Sequence, residues 1–446
     1  MESDRIRECG ESLYYSGLIA IPRPIPIVVR APLGGPTRMS SLVSSPEIAA
    51  GDKPGREIFS LDPEFHLLLA CCSIGRADDD AGPLASLAGA SVDWARVVRL
   101  AEHHGVGPIL YRRLQGIPEA VPQAIRDELR QRYENNARRN LVFVAELFRV
   151  LDCFEAHGIE AIPYKGPVLA EAVYGDLALR EFSDLDVVVR PQDVPRAKQA
   201  LKTLQYAPNL DLSAAEERAY LRSGYELTFD GPLGKNLLEI QWAIVPRFFA
   251  VDFSVEDFFE RATLVDLGGR EVKTLSLEDL LLTLCVHAAK HAWTRLCWLR
   301  DIAAATQQPL HWELLLERAR RLGIRRILAV SLTLGSRLLG ASAPENVMTR
   351  LGKDAMSNEL AEEIARHIPE SEEYRTDTID YFRLMLRLRE RASDKWRLVS
   401  RLAFTPSVNE WQLVRLPGAL FPLYRVVRLY RLAARFLGFG SGRTRS

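Results

Sequence analysis

The chain of 446 residues lacks a net charge, a cysteine framework and a long apolar run. Lysine and arginine number 58, as do aspartate and glutamate, so the whole chain gives no electrostatic argument for nucleic acid, which we do not expect as a partner. The six cysteines include no CxxC pair and no zinc-type spacing, which predicts reduced thiols in a cytoplasmic protein. No uninterrupted apolar run approaches the length of a membrane span.

The amino-terminal segment, residues 1–55, combines apolar residues with frequent proline and glycine, which predicts a disordered extension. Arg23 and three prolines interrupt its most apolar stretch, and acidic residues precede that stretch, so a signal peptide is disfavoured. Met39 opens a second segment that resembles an ordinary flexible amino terminus. We therefore hypothesise that translation starts at Met39 and not at Met1.

Apolar periodicity divides the remaining chain into three regions. Helical spacing dominates residues 56–157, strand-like runs alternate with helices over residues 158–272, and helical spacing returns over residues 273–446. The strand-like runs are IEAIPY, LDVVVR, YELTFDG and NLLEIQWAI, the last two joined by the turn-forming GPLGK. The segments DDDAGPLASLAGAS and PESEEYRTDTID predict a loop and a solvated connection. The pattern predicts a small α/β or α+β domain between two helical regions.

Two aspartates lie at the start of the predicted strand in SDLDVVV. Residues two apart on a strand project to the same face, so Asp184 and Asp186 point the same way. Neighbouring anions at low dielectric need a cation, and a divalent ion with oxygen ligands is the natural partner. Glu239, at the centre of the apolar run LLEIQW, adds a third carboxylate, with Glu226 in YELTF as the second choice. The three carboxylates predict a two-metal site.

The segment PYKGP connects a predicted strand to a predicted helix. Gly166 lets the backbone come close to a ligand and offers helix amides to phosphate oxygens. Lys165 and Arg180 add cations at the same edge. A D-x-D pair alone is weak support for a site, because such pairs are common at strand starts and turns. The KG turn before it and the strand-borne glutamate after it favour a nucleotide site.

The lines YKGPVLAEAVYGDLALREFSDLDVVV, LEIQW and HAAKHAWTRLCWLRDIA resemble the uncharacterised bacterial nucleotidyltransferase family of the DNA polymerase β-like superfamily. The core motif of that superfamily is a glycine-bearing turn, an Asp-x-Asp pair and a later acidic residue on a neighbouring strand. These fall on Gly166, on Asp184 with Asp186, and on Glu239. The superfamily usually has Gly-Ser in the turn, where this chain has Lys-Gly-Pro. The resemblance implies an α+β fold, with a small polymerase-β-like mixed-sheet core at residues 158–272.

The resemblance also implies a reaction. Asp184, Asp186 and Glu239 would hold two Mg²⁺ ions, with Mn²⁺ as the alternative, while an NTP gives its nucleoside monophosphate to an acceptor hydroxyl and pyrophosphate leaves. Lys165 and the amides beside Gly166 would stabilise phosphate charge. Two further roles are implied for the segment before the aspartates: phosphate binding by Arg180 and orientation of a ligand or an aspartate by Ser183.

The acceptor and the base of the NTP stay open. Family members occur with surface-polysaccharide and peptide-natural-product biosynthesis, so a small molecule, a glycan or a peptide natural product is expected. One rival is a protein- or RNA-modifying nucleotidyltransferase of toxin–antitoxin type. The other is a catalytically silent nucleotide-binding scaffold, against which the paired buried acids argue.

The line HAAKHAWTRLCWLRDIA places His287, His291 and Trp298 on one helical stripe. Two histidines one turn apart can bind zinc, but no glutamate lies between them and no third ligand follows. The preferred interpretation is a polar seam that packs the helical region onto the core. The resemblance favours a further one, in which Lys290, His291 or Arg295 reaches the nucleotide or the acceptor.

The carboxyl end, LYRVVRLYRLAARFLGFGSGRTRS, places four arginines on about one helical face, at positions 425, 428, 431 and 435, and no acid follows Glu410. The preferred interpretation is a terminal helix whose apolar side packs and whose arginines are solvated. The alternatives are weak contact with an anionic membrane surface, RNA, or a protein partner.

Overall fold

The computed structural model describes residues 62–74, 81–89, 91–370, 378–414 and 416–436. The predicted amino-terminal extension, the choice between Met1 and Met39, and most of the connection PESEEYRTDTID lie outside these ranges. Residues from Lys53 onward cluster as one unit. The fold class predicted from the sequence, α+β with a mixed sheet and flanking helices, is confirmed.

Among the described residues, five α-helices precede the sheet. They are α1 (Pro63–Cys72), α2 (Ala81–Ala88), α3 (Trp94–His104), α4 (Gly107–Leu114) and α5 (Gln123–Ala156). Asp62 and Asp93 cap α1 and α3, each by accepting a hydrogen bond from a main-chain N–H in the first turn. Gly158, with φ 63°, follows α5 and donates its N–H to the Glu155 carbonyl, so a left-handed glycine ends this helix.

Helix α2 corrects one prediction. The segment DDDAGPLASLAGAS was expected to be a loop, but its residues 81–88 are helical. Pro83 lies in the first helical turn, where its missing N–H has no helical partner to lose. Leu84 and Ala88 are buried, and α2 packs against α1, so tertiary burial outweighs the glycine and proline content.

The central sheet has the order β1-β2-β5-β4-β3. Its strands are β1 (Ala161–Pro163), β2 (Leu185–Val189), β3 (Ala207–Pro208), β4 (Glu226–Gly231) and β5 (Gly234–Gln241). The pair β2–β5 is parallel and the other pairs are antiparallel. The four predicted strands are confirmed, although β5 begins within the predicted turn GPLGK. The two-residue strand β3 was not predicted.

The connections of the core carry four helices and a hairpin. These are α6 (Gly166–Leu169), which continues as a π-helical turn over Ala170–Tyr174, α7 (Val194–Leu201), α8 (Ala214–Ser223), α9 (Val255–Glu260), β6 (Thr263–Leu267) and β7 (Arg270–Thr274). Helix α6 begins at the PYKGP segment, as predicted, and α7 is one of the helices expected to alternate with the strands. Helix α8 and the β6–β7 hairpin were not predicted.

The carboxyl-terminal part is helical, as predicted. Its helices are α10 (Leu277–Lys290), α11 (Leu296–Ala305), α12 (Trp312–Leu322), α13 (Arg325–Leu339), α14 (Glu345–Gly352), α15 (Ala355–His367), α16 (Ile379–Arg387), α17 (Ala392–Phe404), α18 (Val408–Leu413) and α19 (Tyr424–Phe436). In the part of the chain that the structure describes, none of the helices combines the length and apolar character needed to cross a bilayer.

Different helices cover the two sides of the sheet. Val187 and Val189 of β2 pack into an apolar cluster with Phe154 of α5. Val188 belongs to the other apolar cluster, which includes residues of α10 and α11. Because side chains alternate along a strand, Asp186 shares the side of Val188 and faces the carboxyl-terminal helices.

The terminal helix α19 corrects a second prediction. Its arginines were expected to be solvated and its apolar side buried. Instead Arg428 is buried and Arg431 half-buried, with a nitrogen 3.3 and 3.1 Å, respectively, from the same carboxylate oxygen of Glu410. Val426 and Tyr430 are 61% and 73% exposed. Glu410 is itself buried, and a buried carboxylate is costly without a cationic partner, so it draws the arginine side of the helix inward.

Candidate active site

Strand register brings the predicted acidic residues onto one face of the sheet. Asp186 of β2 lies opposite Glu239 of β5, and Glu226 of β4 lies opposite Gln241 of β5. Residues opposite each other on neighbouring strands share a face, as do residues two apart on one strand. Asp184 directly precedes β2. Both candidates for the third acid, Glu239 and Glu226, therefore lie on the face of Asp186.

Gln241 links the acidic residues. Its Nε2 donates to Asp186 Oδ1 at 2.9 Å and to Glu239 Oε2 at 3.0 Å, and its Oε1 accepts from the Tyr164 hydroxyl at 2.8 Å. Gln241 and Tyr164 are both buried. Neither residue was predicted as part of the site. The alternation in LEIQW was the available signal, because it places Gln241 on the same side as Glu239.

Lys165 contacts an acidic side chain directly. Its Nζ lies 3.0 Å from Asp186 Oδ1, and its side chain is largely buried. Burial acts to lower the pKa of Lys165, but the charges of Asp186 and its neighbours outweigh burial and raise that pKa. Lys165 was predicted to bind phosphate. In this structure it is the counter-ion of Asp186.

Gly166 adopts a left-handed conformation, with φ 55°, at the start of α6. A Cβ atom at this position would lie 3.2 Å from the Asp184 carbonyl oxygen. The glycine therefore allows the turn before α6 to pass close to the main chain that leads into β2. The close approach is to Asp184, and it positions the turn beside the acidic residues.

Asp184, Asp186, Glu226 and Glu239 together form what we call the acidic face of the sheet. Burial first, and then the neighbouring carboxylates, raise the pKa of Glu239 to about 9. Burial and the charge of Asp186 raise the pKa of Asp184 to about 6. Burial also raises the pKa of Glu226, against the opposing charge of Lys290. A cation among these groups would lower each of these pKa values.

The donor chemistry of this face fits a hard divalent cation. Asp184, Asp186 and Glu239 offer carboxylate oxygens, and Mg²⁺ commonly takes one or two such groups together with water and substrate phosphates. Within the described ranges, the structure contains no group of three or more histidine, cysteine, aspartate or glutamate side chains that could hold a metal ion. The face therefore fits a cation held jointly with a substrate better than a cage made by the protein.

Arg180 and Ser183 lie just before the aspartates. Arg180 Nε and Nη2 donate to the two carboxylate oxygens of Asp301 at 3.0 Å each, and the Tyr174 hydroxyl donates to the same carboxylate at 2.7 Å. Asp301 is buried in α11. Arg180 thus joins the segment before β2 to the carboxyl-terminal helices. Its positive charge also opposes the rise in the pKa of Asp184. Ser183 is exposed beside Asp184.

The end of α10 contributes Lys290 to the acidic face. Its Nζ lies 3.4 Å from the Tyr225 hydroxyl, and burial lowers its pKa against the opposing charge of Glu226. His291 instead packs among aromatic rings, with centroids 4.9 Å from those of both His287 and Trp298. Burial lowers the pKa of His291 to about 3, so its ring is neutral at neutral pH.

One face of the mixed sheet thus carries carboxyl and ammonium groups that are largely withdrawn from water, beside a glycine turn that opens a helix. The family model described as "Uncharacterised nucleotidyltransferase" matches residues 90–340, more than half of the chain. The chain therefore belongs to this nucleotidyltransferase family. The matched range contains the whole central sheet. No curated protein and no solved structure gives a significant match.

Proposed function

We propose that this protein transfers a nucleoside monophosphate from an NTP to a hydroxyl group of an acceptor and releases pyrophosphate. The observation that carries the proposal is the in-register pair Asp186 and Glu239, with Asp184 beside it, on a face where the pKa values of Asp184 and Glu239 are raised. We also place the fold in the DNA polymerase β-like superfamily. The glycine turn, the Asp-x-Asp pair and the strand-borne glutamate occur here in that order.

Asp184, Asp186 and Glu239 would hold two Mg²⁺ ions, with Mn²⁺ as a substitute, and the bound metal supplies charge neutralisation for the triphosphate and the acceptor oxygen. The acceptor oxygen bonds to the α-phosphorus while the bond to the bridging oxygen of the β-phosphate breaks. Pyrophosphate leaves with that electron pair. Glu239, ionised once cationic charge lowers its pKa, accepts the hydroxyl proton.

The two lysines of the acidic face stabilise the charge of the phosphates. Lys165 is paired with Asp186, and Lys290 lies beside Tyr225 and Glu226. Both side chains are largely withdrawn from water, where a positive charge interacts more strongly with an incoming anion. The acceptor is a small molecule, a glycan or a peptide natural product.

One observation favours a second candidate, a nucleotide-binding scaffold without turnover. Asp186 already receives Lys165 and Gln241, both through Oδ1, so part of its charge is balanced within the protein. The toxin–antitoxin alternative had its support in the basic tail. Because Arg428 and Arg431 pair with Glu410, that support is reduced.

A thermal-shift panel of the four NTPs, each with and without Mg²⁺, tests the proposal. We expect one NTP to raise the melting temperature only with Mg²⁺, since a ligand at 100 times its Kd stabilises a fold by ~2.7 kcal/mol. The double variant Asp184→Asn/Asp186→Asn should lose that shift. Asp211→Asn, an exposed aspartate of the same region, is the matched control and should keep it.

Labelled-nucleotide transfer then separates the two candidates. A labelled product that requires the NTP, Mg²⁺ and Asp186 supports the transferase. An NTP that binds independently of metal and of both aspartates indicates the scaffold. No shift with any NTP would contradict both.

A further inference from the structure

The terminal helix α19 and the 3₁₀ helix that precedes it, Gly418–Leu423, present an apolar stripe to solvent. The exposed side chains of the stripe are Leu420, Leu423, Val426, Leu429 and Tyr430. Residues 423, 426 and 430 are spaced by three and four positions, which places them on one side of a helix. We name these five residues the C-terminal stripe. Its two most exposed members, Val426 and Tyr430, are 61% and 73% accessible.

Polar contacts on the opposite side fix this orientation. Arg428 Nε donates to the Leu402 carbonyl of α17 at 2.8 Å, and its Nη1 lies 3.3 Å from Glu410. Tyr424 is buried, and its hydroxyl donates to the Val414 carbonyl at 2.8 Å. Rotating α19 to bury the C-terminal stripe would break these bonds and leave Glu410 buried without a counter-ion. The stripe therefore stays outward while the remainder of the fold is intact.

The neighbouring helix and the preceding segment expose further apolar groups. Trp396 and Phe404 of α17 are 72% and 52% exposed. Leu413 and Val414, which lead from α18 towards α19, are also exposed. Large exposed apolar patches are typical of surfaces that bind a membrane or another protein.

Charge decides which occupant fits. After Glu410 the chain contains seven arginines and no acidic residue. Arg425 is exposed within α19, and Glu410 is the carboxylate that meets both Arg428 and Arg431. A second copy of the chain would bring the same positive segment against itself, because a two-fold interface joins identical patches. An anionic lipid surface instead offers acyl chains to the stripe and phosphates to exposed cations such as Arg425.

We propose that the C-terminal stripe, with the exposed Arg425 of the same helix, binds the surface of anionic lipid bilayers. The helix would lie in the interface, with Val426 and Tyr430 at the boundary of headgroups and acyl chains. Aromatic side chains such as Tyr430 favour this boundary. The proposal rests on the contacts of α17 to α19 and is independent of the transferase reaction.

Vesicle co-sedimentation of the full chain tests it. The vesicles are phosphatidylcholine alone, and phosphatidylcholine mixed with phosphatidylglycerol in equal parts. We expect binding to the anionic vesicles only, weakened by added salt because salt screens the arginines. Val426→Glu and Tyr430→Glu should each lower the partition coefficient ~10-fold or more, since each removes apolar contact and adds a repelled charge.

Val142→Glu is the matched control, because Val142 is 45% exposed on the helix α5. It should bind anionic vesicles like the wild type. Absence of binding to anionic vesicles, or equal loss in the control, would overturn the proposal. Light scattering without lipid adds a separate arm: self-association that Val426→Glu abolishes would assign the stripe to a second copy and also overturn it. Circular dichroism of each variant verifies that the fold is retained.

Discussion

Asp186 and Glu239 lie opposite each other on the parallel strands β2 and β5, and the side-chain amide of Gln241 donates to both. Repulsion between the buried Asp186 and the half-buried Glu239 is thus moderated by a neutral donor. The oxygen of the same amide accepts a hydrogen bond from the hydroxyl of Tyr164, which directly follows β1. One glutamine therefore couples three strands at the proposed site.

Gln241→Ala should lower the free energy of unfolding by ~1–3 kcal/mol, because the buried Tyr164 hydroxyl loses its acceptor and two acids lose a donor. Gln115→Ala is the matched control, since Gln115 also bonds to a tyrosine hydroxyl, at 2.9 Å, but on the surface. It should change stability by less than ~0.5 kcal/mol. Urea titration measures both, and equal effects would contradict a buried network.

Gly166→Ala should destabilise the fold and weaken the metal-dependent NTP shift. Gly175→Ala is the matched control, because Gly175 is also left-handed, with φ 65°, but no heavy atom lies within 4 Å of its added Cβ. In both variants, alanine in the left-handed conformation destabilises the folded state by ~1–2 kcal/mol. The additional loss in Gly166→Ala reports the contact with the Asp184 carbonyl. An unchanged NTP shift in Gly166→Ala would show that this turn does not position the site.

Without divalent cations, stability should fall as the pH rises from about 4.5 to about 9. The pKa of Glu239 is raised in the folded state to about 9, so the folded chain holds a proton that the unfolded chain releases. Glu239→Gln should flatten this decline, whereas Glu119→Gln, at an exposed position, should not. Denaturant titrations across this range measure the slope. A slope that Glu239→Gln leaves unchanged would contradict the assignment.

Arg180→Ala should lower the free energy of unfolding by ~3–5 kcal/mol, because it leaves the buried Asp301 carboxylate without its counter-ion. Arg138→Ala removes an ion pair whose partners are 63% and 50% exposed, and it should cost less than ~0.5 kcal/mol. Thermal and urea unfolding compare the two variants. If Arg180→Ala unfolds like the wild type but loses NTP binding, Arg180 is a phosphate ligand, as the sequence suggested.

Several features followed from local patterns. The strand-like runs LDVVVR and YELTFDG predicted two strands, and the spacing of two residues placed Asp184 and Asp186 on one face. The strand β3 and the β6–β7 hairpin were missed because short strands leave little periodicity. Helix α2 was missed because burial against α1 overrode its glycine and proline.

The sequence by itself determined the α+β order of elements, the glycine turn, the acidic residues and the excess of arginine at the carboxyl end. Each of these features depends only on residues that are close together in the sequence. Tertiary structure alone decided which groups meet. Arg180 lies 121 residues from Asp301, and Gln241 lies 55 from Asp186. Only the packing of Glu410 turned Arg428 and Arg431 inward and left the apolar stripe outward. Contacts between distant segments depend on the energy of the whole core, which no local pattern contains.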